Sequence, residues 1–142
     1  MKRFLRIVCL LVVFSTLAAI PAYAQEVTPR GSNELNSYRA YCTKISSTQV
    51  VVSFQVVGTD ALDEIGANTI KVQYSSDGVN WTTAKTFRKA NYPSMVDSNT
   101  SMHGGELTAT VPSGKQYRAY VEFYGEKDGG LTVRSYYTAV IT

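Results

Sequence analysis

The chain has 142 residues, of which 44% are hydrophobic, 18% charged and 11% aromatic. This balance is typical of one modest globular domain and excludes a collagen-like, coiled-coil or broadly disordered protein. The formal charge of +3 comes from Lys2, Arg3 and Arg6, because the rest of the chain holds 11 basic and 11 acidic residues. A neutral remainder offers no basic excess for binding nucleic acid, so that partner is excluded.

Residues 1–24 have the three parts of a secretory signal peptide. The basic start is followed by an apolar run from Ile7 to Ile20, and Ala22-Tyr23-Ala24 supplies a small-x-small cleavage pattern. The apolar run is shorter than the roughly 20 residues that cross a bilayer. We therefore expect a cleaved leader and a secreted, extracellular product with no membrane span.

Cys42 is the only cysteine beyond the leader, so an internal disulfide is excluded. We expect Cys42 to be buried in a strand, where a thiol behaves as a small hydrophobe. An intermolecular disulfide through Cys42, or a reactive thiol, is the alternative.

Beyond a polar, flexible N-terminal segment at residues 25–37, the hydrophobic pattern takes a period of two, which predicts β-strands with one buried face. Seven segments show this pattern: residues 38–43, 50–57, 70–75, 81–87, 107–111, 117–124 and 131–141. They predict an all-β domain over residues 38–142, namely a seven-stranded antiparallel β-sandwich.

Turn residues predict the connections between these strands. Asp77-Gly78 predicts a tight hairpin, because this pair readily adopts positive φ angles. Arg88–Glu106, which contains Tyr92-Pro93-Ser94-Met95, predicts a long irregular segment. Ala61–Ala67 is the one stretch compatible with a helical turn.

The register of the last hairpin follows from the rule that opposed residues share a face. Pairing Phe123 with Val133 closes a five-residue loop over residues 126–130. The same register places Ala119 opposite Tyr137 inside, and sets Tyr120 opposite Tyr136 and Glu122 opposite Arg134 outside. The core-facing set of the last strand is then predicted to be Leu131, Val133, Tyr137, Ala139 and Ile141.

Two motifs give the chain a resemblance to a known fold family. Residues 70–82 (IKVQYSSDGVNWT) resemble the third-strand hairpin of bacterial fibronectin type III domains, and residues 111–121 (VPSGKQYRAYV) are similar to that family's approach to its sixth strand. The resemblance implies an immunoglobulin-like sandwich in which the hydroxyl of Tyr117 bonds to nearby backbone. The second strand departs from the family pattern, because it has no tryptophan.

The layout also resembles small secreted proteins of Gram-positive bacteria, a group with no assigned activity. Both resemblances imply a fold and a compartment. Neither implies a reaction, a cofactor or a ligand.

Few residues of this chain are suited to catalysis or to metal binding. One histidine, His103, and one cysteine beyond the leader exclude the usual zinc sites, and His103 lies next to Gly104-Gly105 without a placed nucleophile. We therefore expect a protein that is not an enzyme and holds no cofactor. Asp60, Asp63 and Glu64 form the densest carboxylate group, which predicts a solvated acidic loop, with a calcium site as the alternative.

A stripe of tyrosines is the strongest candidate for a binding surface. The predicted register projects Tyr120, Tyr124 and Tyr136 outward, edged by Arg118, Glu122 and Arg134. Lys71 and Gln73 join this stripe if the third strand neighbours the sixth. Exposed tyrosines edged by charged groups suit contact with a protein or a glycan, although tyrosine is also common in strands for its β-propensity alone.

We therefore predict an extracellular binding module that engages a protein or glycan through the tyrosine stripe or through the Arg88–Glu106 segment. The alternative is a small secreted effector, either an antibacterial toxin or an enzyme inhibitor. An inhibitor would use an exposed Tyr92-Pro93-Ser94-Met95 segment to occupy the cleft of another protein.

Overall fold

A computed structural model describes residues 34–142, so the predicted signal peptide at residues 1–24 and residues 25–33 lie outside the described part. Six antiparallel strands make up the fold: β1 (Leu35–Ser46), β2 (Gln49–Ser75), β3 (Thr82–Arg88), β4 (Val96–Thr110), β5 (Gln116–Lys127) and β6 (Gly130–Tyr137). The described residues contain no α-helix, and a single 3-10 turn spans Pro93–Met95. The all-β prediction is confirmed, with six strands instead of seven.

The long strand β2 organises the sheet. Its first part pairs with β1 on one edge and β4 on the other, whereas its last part pairs with β3 and β5. The sheet then continues from β5 to β6. The predicted strands at residues 50–57 and 70–75 are two parts of β2, and Ala61–Ala67 lies between them as extended backbone.

The core fills the concave side of this curled sheet. Alternation along β2 buries Val52 and Val56, and alternation along β5 buries Val121 and Phe123. The ring centroids of Tyr38 in β1 and Phe123 in β5 lie 5.2 Å apart, although β1 and β5 are not neighbours in the sheet. The curl therefore brings distant strands onto one core.

Tyr117 anchors the start of β5. Its side chain is fully buried, its hydroxyl donates to the carbonyl oxygen of Pro112 at 2.6 Å, and the amide of Lys115 donates to the hydroxyl at 3.3 Å. The hydrogen bond predicted for this tyrosine is confirmed. It gives the buried phenol group the polar partner that burial demands.

The prediction of a long irregular segment at Arg88–Glu106 is wrong for most of its length. Strand β4 begins at Val96 and pairs with β2. Most β4 side chains are exposed, and apolar alternation marks only the end of the strand, where the predicted segment 107–111 overlaps it. Backbone hydrogen bonds to β2, which hydropathy does not report, determine its conformation.

The predicted register of the last hairpin is also wrong, by one residue. Asp128 and Gly129 have φ angles of 50° and 75° and form a two-residue turn between β5 and β6. Such a turn requires positive φ at both positions and matches the twist of the flanking strands. Phe123 consequently faces Arg134, and Tyr120 faces Tyr137.

A shift of one residue moves every side chain of a strand to the other face. Leu131, Val133 and Tyr137, predicted as core residues, are therefore exposed, and so is Ala139. Of the predicted core set, only Ile141 packs against the core, where it forms a bridge with Tyr117.

No helix in residues 34–142 has the length and apolarity that crossing a membrane requires.

Candidate binding face

The five predicted binding residues lie on two different sides of the sheet. Arg118, Tyr120 and Tyr124 share the outer face of β5, opposite the core residues of that strand. Arg134 and Tyr136 instead pair with Phe123 and Val121 and share the core side of the sheet with them. The prediction that all five residues form one stripe is therefore wrong, because it depended on the incorrect register.

Tyr136 contributes to packing. Its ring centroid lies 6.4 Å from those of Tyr38 and Phe123, with edge-on geometry. Its neighbour on the same side, Arg134, donates from Nη1 to the carbonyl oxygen of Val133 at 2.9 Å. Neither side chain belongs to the outer face that was predicted for it.

Tyr124 lies on the outer face but is covered. Nζ of Lys89 is 3.8 Å from its ring centroid, and Lys89 also forms an ion pair with Glu64. The Tyr124 hydroxyl donates to Glu126. Burial, reinforced by Glu126 and Glu64, raises the pKa of Tyr124 above its ordinary value. With 7% of its surface exposed, Tyr124 closes this end of the outer face and offers little area to a ligand.

Arg118 lies between two aromatic rings that the sequence did not place beside it. Its Cζ is 4.2 Å from the ring centroid of Trp81 and 4.5 Å from that of Tyr137. Its Nε donates to Oε1 of Gln73 at 2.9 Å, which fixes the plane of the guanidinium group. Stacking of a cation against aromatic faces contributes about 0.5–1 kcal/mol at exposed sites.

The stack continues across β5. The rings of Tyr120 and Tyr137 are 5.1 Å apart between centroids, and Nζ of Lys71 lies 5.7 Å from the Tyr120 ring. The hydroxyls of Tyr120 and Ser135 are hydrogen-bonded at 3.0 Å. We call this surface the aromatic–cation face; its members are Lys71, Gln73, Trp81, Arg118, Tyr120 and Tyr137.

The inclusion of Lys71 and Gln73 agrees with the sequence prediction, because β2 lies directly beside β5 and pairs Lys71 with Tyr120. Sequence analysis missed Trp81 and Tyr137. Asp128-Gly129 is the sequence feature that could have located Tyr137. This pair favours a two-residue turn, and the length of the turn sets the register that places Tyr137 opposite Tyr120. No short-range signal places Trp81 beside Arg118, since their contact depends on the pairing of β2 with β5.

The chain turns at Asp77-Gly78 as predicted, but the hairpin is not tight, because residues 76–81 connect β2 to β3 and Asp77 lacks the positive φ that the prediction required. This connection carries Trp81 to the edge of the face. The Asp77 carboxylate accepts the amides of Asn80 at 2.8 Å and Val79 at 2.9 Å. These hydrogen bonds hold the pKa of Asp77 well below its ordinary value, and the bond from the Asn80 amide has the largest effect. Gly78 follows with φ of 74°, in the left-handed region that glycine adopts without strain.

The other candidate groups are occupied by structural contacts. His103 lies in β4 instead of a glycine-rich loop, and its Nε2 donates to the carbonyl oxygen of Ser94 at 2.9 Å. Cys42 is buried in β1 as predicted, and burial raises the pKa of its thiol to about 11. A protonated, enclosed thiol is a poor nucleophile.

The acidic group lies in β2 and not in a loop. Asp60 is 3.4 Å from Nζ of Lys127, Asp63 accepts the amide of Asp128 at 2.8 Å, and Glu64 pairs with Lys89. Within residues 34–142, no three His, Cys, Asp or Glu side chains are grouped so that they could hold a metal ion. The contacts of Asp60 and Asp63 tie the last hairpin to β2, and that of Glu64 ties β2 to the residue that follows β3.

The segment proposed for an inhibitor is held against the core. The Tyr92 ring packs edge-on against Phe87 with 5.0 Å between centroids, and Met95 is fully buried. The 3-10 turn Pro93–Met95 exposes Pro93 and Ser94 and buries Met95. Of the four residues that the inhibitor hypothesis needs, these two are the exposed ones.

Comparisons with known proteins give no family for the chain. No protein-family model matches it, and no curated protein matches it. Among solved structures, it is similar to a protein from Archaeoglobus fulgidus at 9% sequence identity and a TM-score of 0.37, over 76% of this chain and 96% of that chain. A similarity this distant assigns neither a fold family nor a function.

Proposed function

We propose that the chain is a secreted, non-catalytic binding module that recognises an extracellular protein or glycan through the aromatic–cation face. The observation that carries this proposal is the position of Arg118 between Trp81 and Tyr137, two aromatic side chains on the convex side of the sheet. Aromatic and arginine side chains are the residue types enriched where proteins bind their partners. Tyr137 is 53% exposed, so its ring is accessible from solvent.

The proposal includes a β-sandwich of fibronectin type III or immunoglobulin type. One layer would comprise β1, β4 and the first part of β2, and the other would comprise β3, β5, β6 and the last part of β2. The contact between Tyr38 and Phe123 supports such layers, because it joins strands that are not paired. The hydrogen bond from Tyr117 to Pro112 supports the immunoglobulin type.

Export is supported by the leader pattern at residues 1–24. Expression of the full chain in a bacterial host, followed by N-terminal sequencing, tests it. We expect the purified protein to begin at Gln25. A product that keeps residues 1–24 after export to the medium would contradict the cleaved signal.

The binding proposal is tested with a panel of extracellular glycans and cell-surface proteins, using alanine variants of the face. Trp81→Ala and Tyr137→Ala should weaken binding of the recognised ligand by about tenfold or more, because both remove aromatic contact area. Tyr41→Ala is the matched control, since Tyr41 is 57% exposed on β1, away from this face. A ligand that binds both variants as tightly as it binds the unaltered protein would refute the proposal.

A further inference from the structure

The guanidinium group of Arg118 is held in place with part of its hydrogen-bonding capacity unused. The Trp81 and Tyr137 rings both lie against it, and Nε is bonded to Gln73. No described residue accepts a hydrogen bond from its two terminal Nη nitrogens. A guanidinium group with a fixed plane and free terminal donors is suited to bind a carboxylate through two parallel hydrogen bonds.

The charges of the face are not balanced within the described chain. The two ion pairs among residues 34–142 are Lys89–Glu64 and Lys127–Asp60, so neither Arg118 nor Lys71 pairs with a carboxylate there. The carboxylate of Glu122 borders the face and accepts the side-chain amide of Asn68 at 2.5 Å and the hydroxyl of Tyr120 at 3.4 Å, so it is bonded to neutral donors and to neither cation. The face therefore presents two unpaired cations, which complement a ligand with more than one negative charge.

The geometry points to an acidic glycan, a chain of uronate sugars whose carboxylates bind Arg118 and Lys71; this inference rests on the binding function proposed for the face. β5 lies between β2 and β6, and the last part of β2 lies between β3 and β5. The backbone groups of both strands are thus paired within the sheet, and a peptide cannot add to them as a further strand.

The polar groups that a ligand can bind on the aromatic–cation face belong to side chains. Nε2 of Gln73 carries free donors, because only its Oε1 is engaged by Arg118. The exposed Tyr137 ring lies against the same Arg118, with its centroid 4.5 Å from Cζ. A sugar ring supplies hydroxyls for such donors and C–H surface for an aromatic ring, and a uronate adds the carboxylate.

Trp81 is the only tryptophan of the chain, so its fluorescence emission reports directly on this face. We would titrate the purified protein with hexagalacturonate, with its fully methyl-esterified and therefore uncharged form, and with hexaglutamate. Hexagalacturonate should change the Trp81 emission and bind at least about tenfold more tightly than the methyl ester, since the ester lacks the carboxylates. Hexaglutamate should bind more weakly than hexagalacturonate, because it offers charge without sugar rings.

Two variants and a control locate the binding. Arg118→Lys keeps the charge but loses the planar fork, and Gln73→Glu supplies a carboxylate that occupies Arg118, so each should weaken hexagalacturonate binding by about tenfold or more. Arg39→Lys should leave the affinity unchanged, because Arg39 lies on β1 and donates from Nε and Nη2 to Gln55. Urea midpoints close to that of the unaltered protein would show that the variants are folded.

Each alternative outcome overturns the inference in a recognisable way. Equal affinity for the methyl ester indicates a neutral glycan, and equal affinity for hexaglutamate indicates an acidic peptide. An unchanged affinity in Arg118→Lys excludes bidentate binding, and no response to hexagalacturonate excludes the uronate. The broader binding function fails separately, when Trp81→Ala and Tyr137→Ala leave recognition of the panel ligand unaffected.

Discussion

Replacing Tyr136 and Tyr137 in turn by alanine tests the register of the last hairpin. The two neighbours exchange faces when the register shifts by one residue, so their contributions to stability exchange as well. Tyr136 packs against the core beside Tyr38 and Phe123, whereas Tyr137 is 53% exposed on the outer face. We expect the Tyr136→Ala variant to be clearly less stable than the Tyr137→Ala variant.

The contacts of each ring set the expected magnitude. Truncation of a fully buried aromatic residue costs about 3–5 kcal/mol, and the partial burial of Tyr136 reduces this to about 2–3 kcal/mol. Its two edge-on ring contacts account for much of that loss, at about 0.5–1.5 kcal/mol each. Tyr137 loses a ring contact and a cation contact at an exposed position, about 1 kcal/mol in total. The two variants should therefore differ by about 1–2 kcal/mol.

Equilibrium urea unfolding followed by circular dichroism measures both free energies of unfolding. Tyr137→Phe serves as the control, because it keeps the ring, and it should shift the midpoint little. The reasoning would be refuted if Tyr137→Ala cost as much as Tyr136→Ala or more. That result would restore the register predicted from the sequence and would move Tyr136 to the outer face.

Four further predictions concern the scaffold. A Cβ at Gly66 would lie 2.7 Å from Cα of Val96 and also meet the Met95 carbonyl, so Gly66→Ala should cost at least about 1–3 kcal/mol in urea unfolding. Gly129→Ala meets no atom within 4 Å and should cost only about 1 kcal/mol, for its positive φ. The raised pKa of Cys42 means that the unfolded thiol ionises first, so stability should fall as pH rises from about 9.0 to about 11. Cys42→Ala should make this fall in the urea midpoints shallower, and Tyr124, whose pKa is also raised, accounts for a fall that remains above about pH 10. Asp77 should stay ionised, in an NMR titration of its carboxyl carbon, below the pH at which unperturbed aspartates protonate, because the folded turn stabilises its charged form.

The central strands were predictable because one face of each is buried. In β2, Val50, Val52, Phe54 and Val56 alternate with partly exposed residues, and β5 repeats the pattern at Ala119, Val121 and Phe123. The same alternation correctly set Arg118 and Tyr120 on the outer face. A strand with paired neighbours on both edges and a core on one side leaves its burial pattern in the sequence.

Strands at the edge of the sheet carry a weaker pattern. Leu131 and Val133 in β6 alternate as core residues would, yet 40% and 38% of their surfaces are exposed. The inward positions hold Thr132 and Arg134, whose polar side chains do not indicate a core-facing role in the sequence. Hydrophobic alternation alone therefore favoured the wrong face of β6, and the turn at Asp128 was the better guide.

The candidate site depends on this turn even though the turn lies at the far end of the hairpin. The register set at the turn is the same along the whole hairpin. The positive φ angles at Asp128 and Gly129 therefore determine which of the two tyrosines lies beside Arg118. The alternation of β5 predicts directly that Arg118 lies on the outer face. The position of Tyr137 can be predicted only from the geometry of the turn. A binding face that spans neighbouring strands can therefore be predicted only when the register of each strand pair is known. Here the register of one hairpin decides whether Tyr136 or Tyr137 joins the aromatic–cation face.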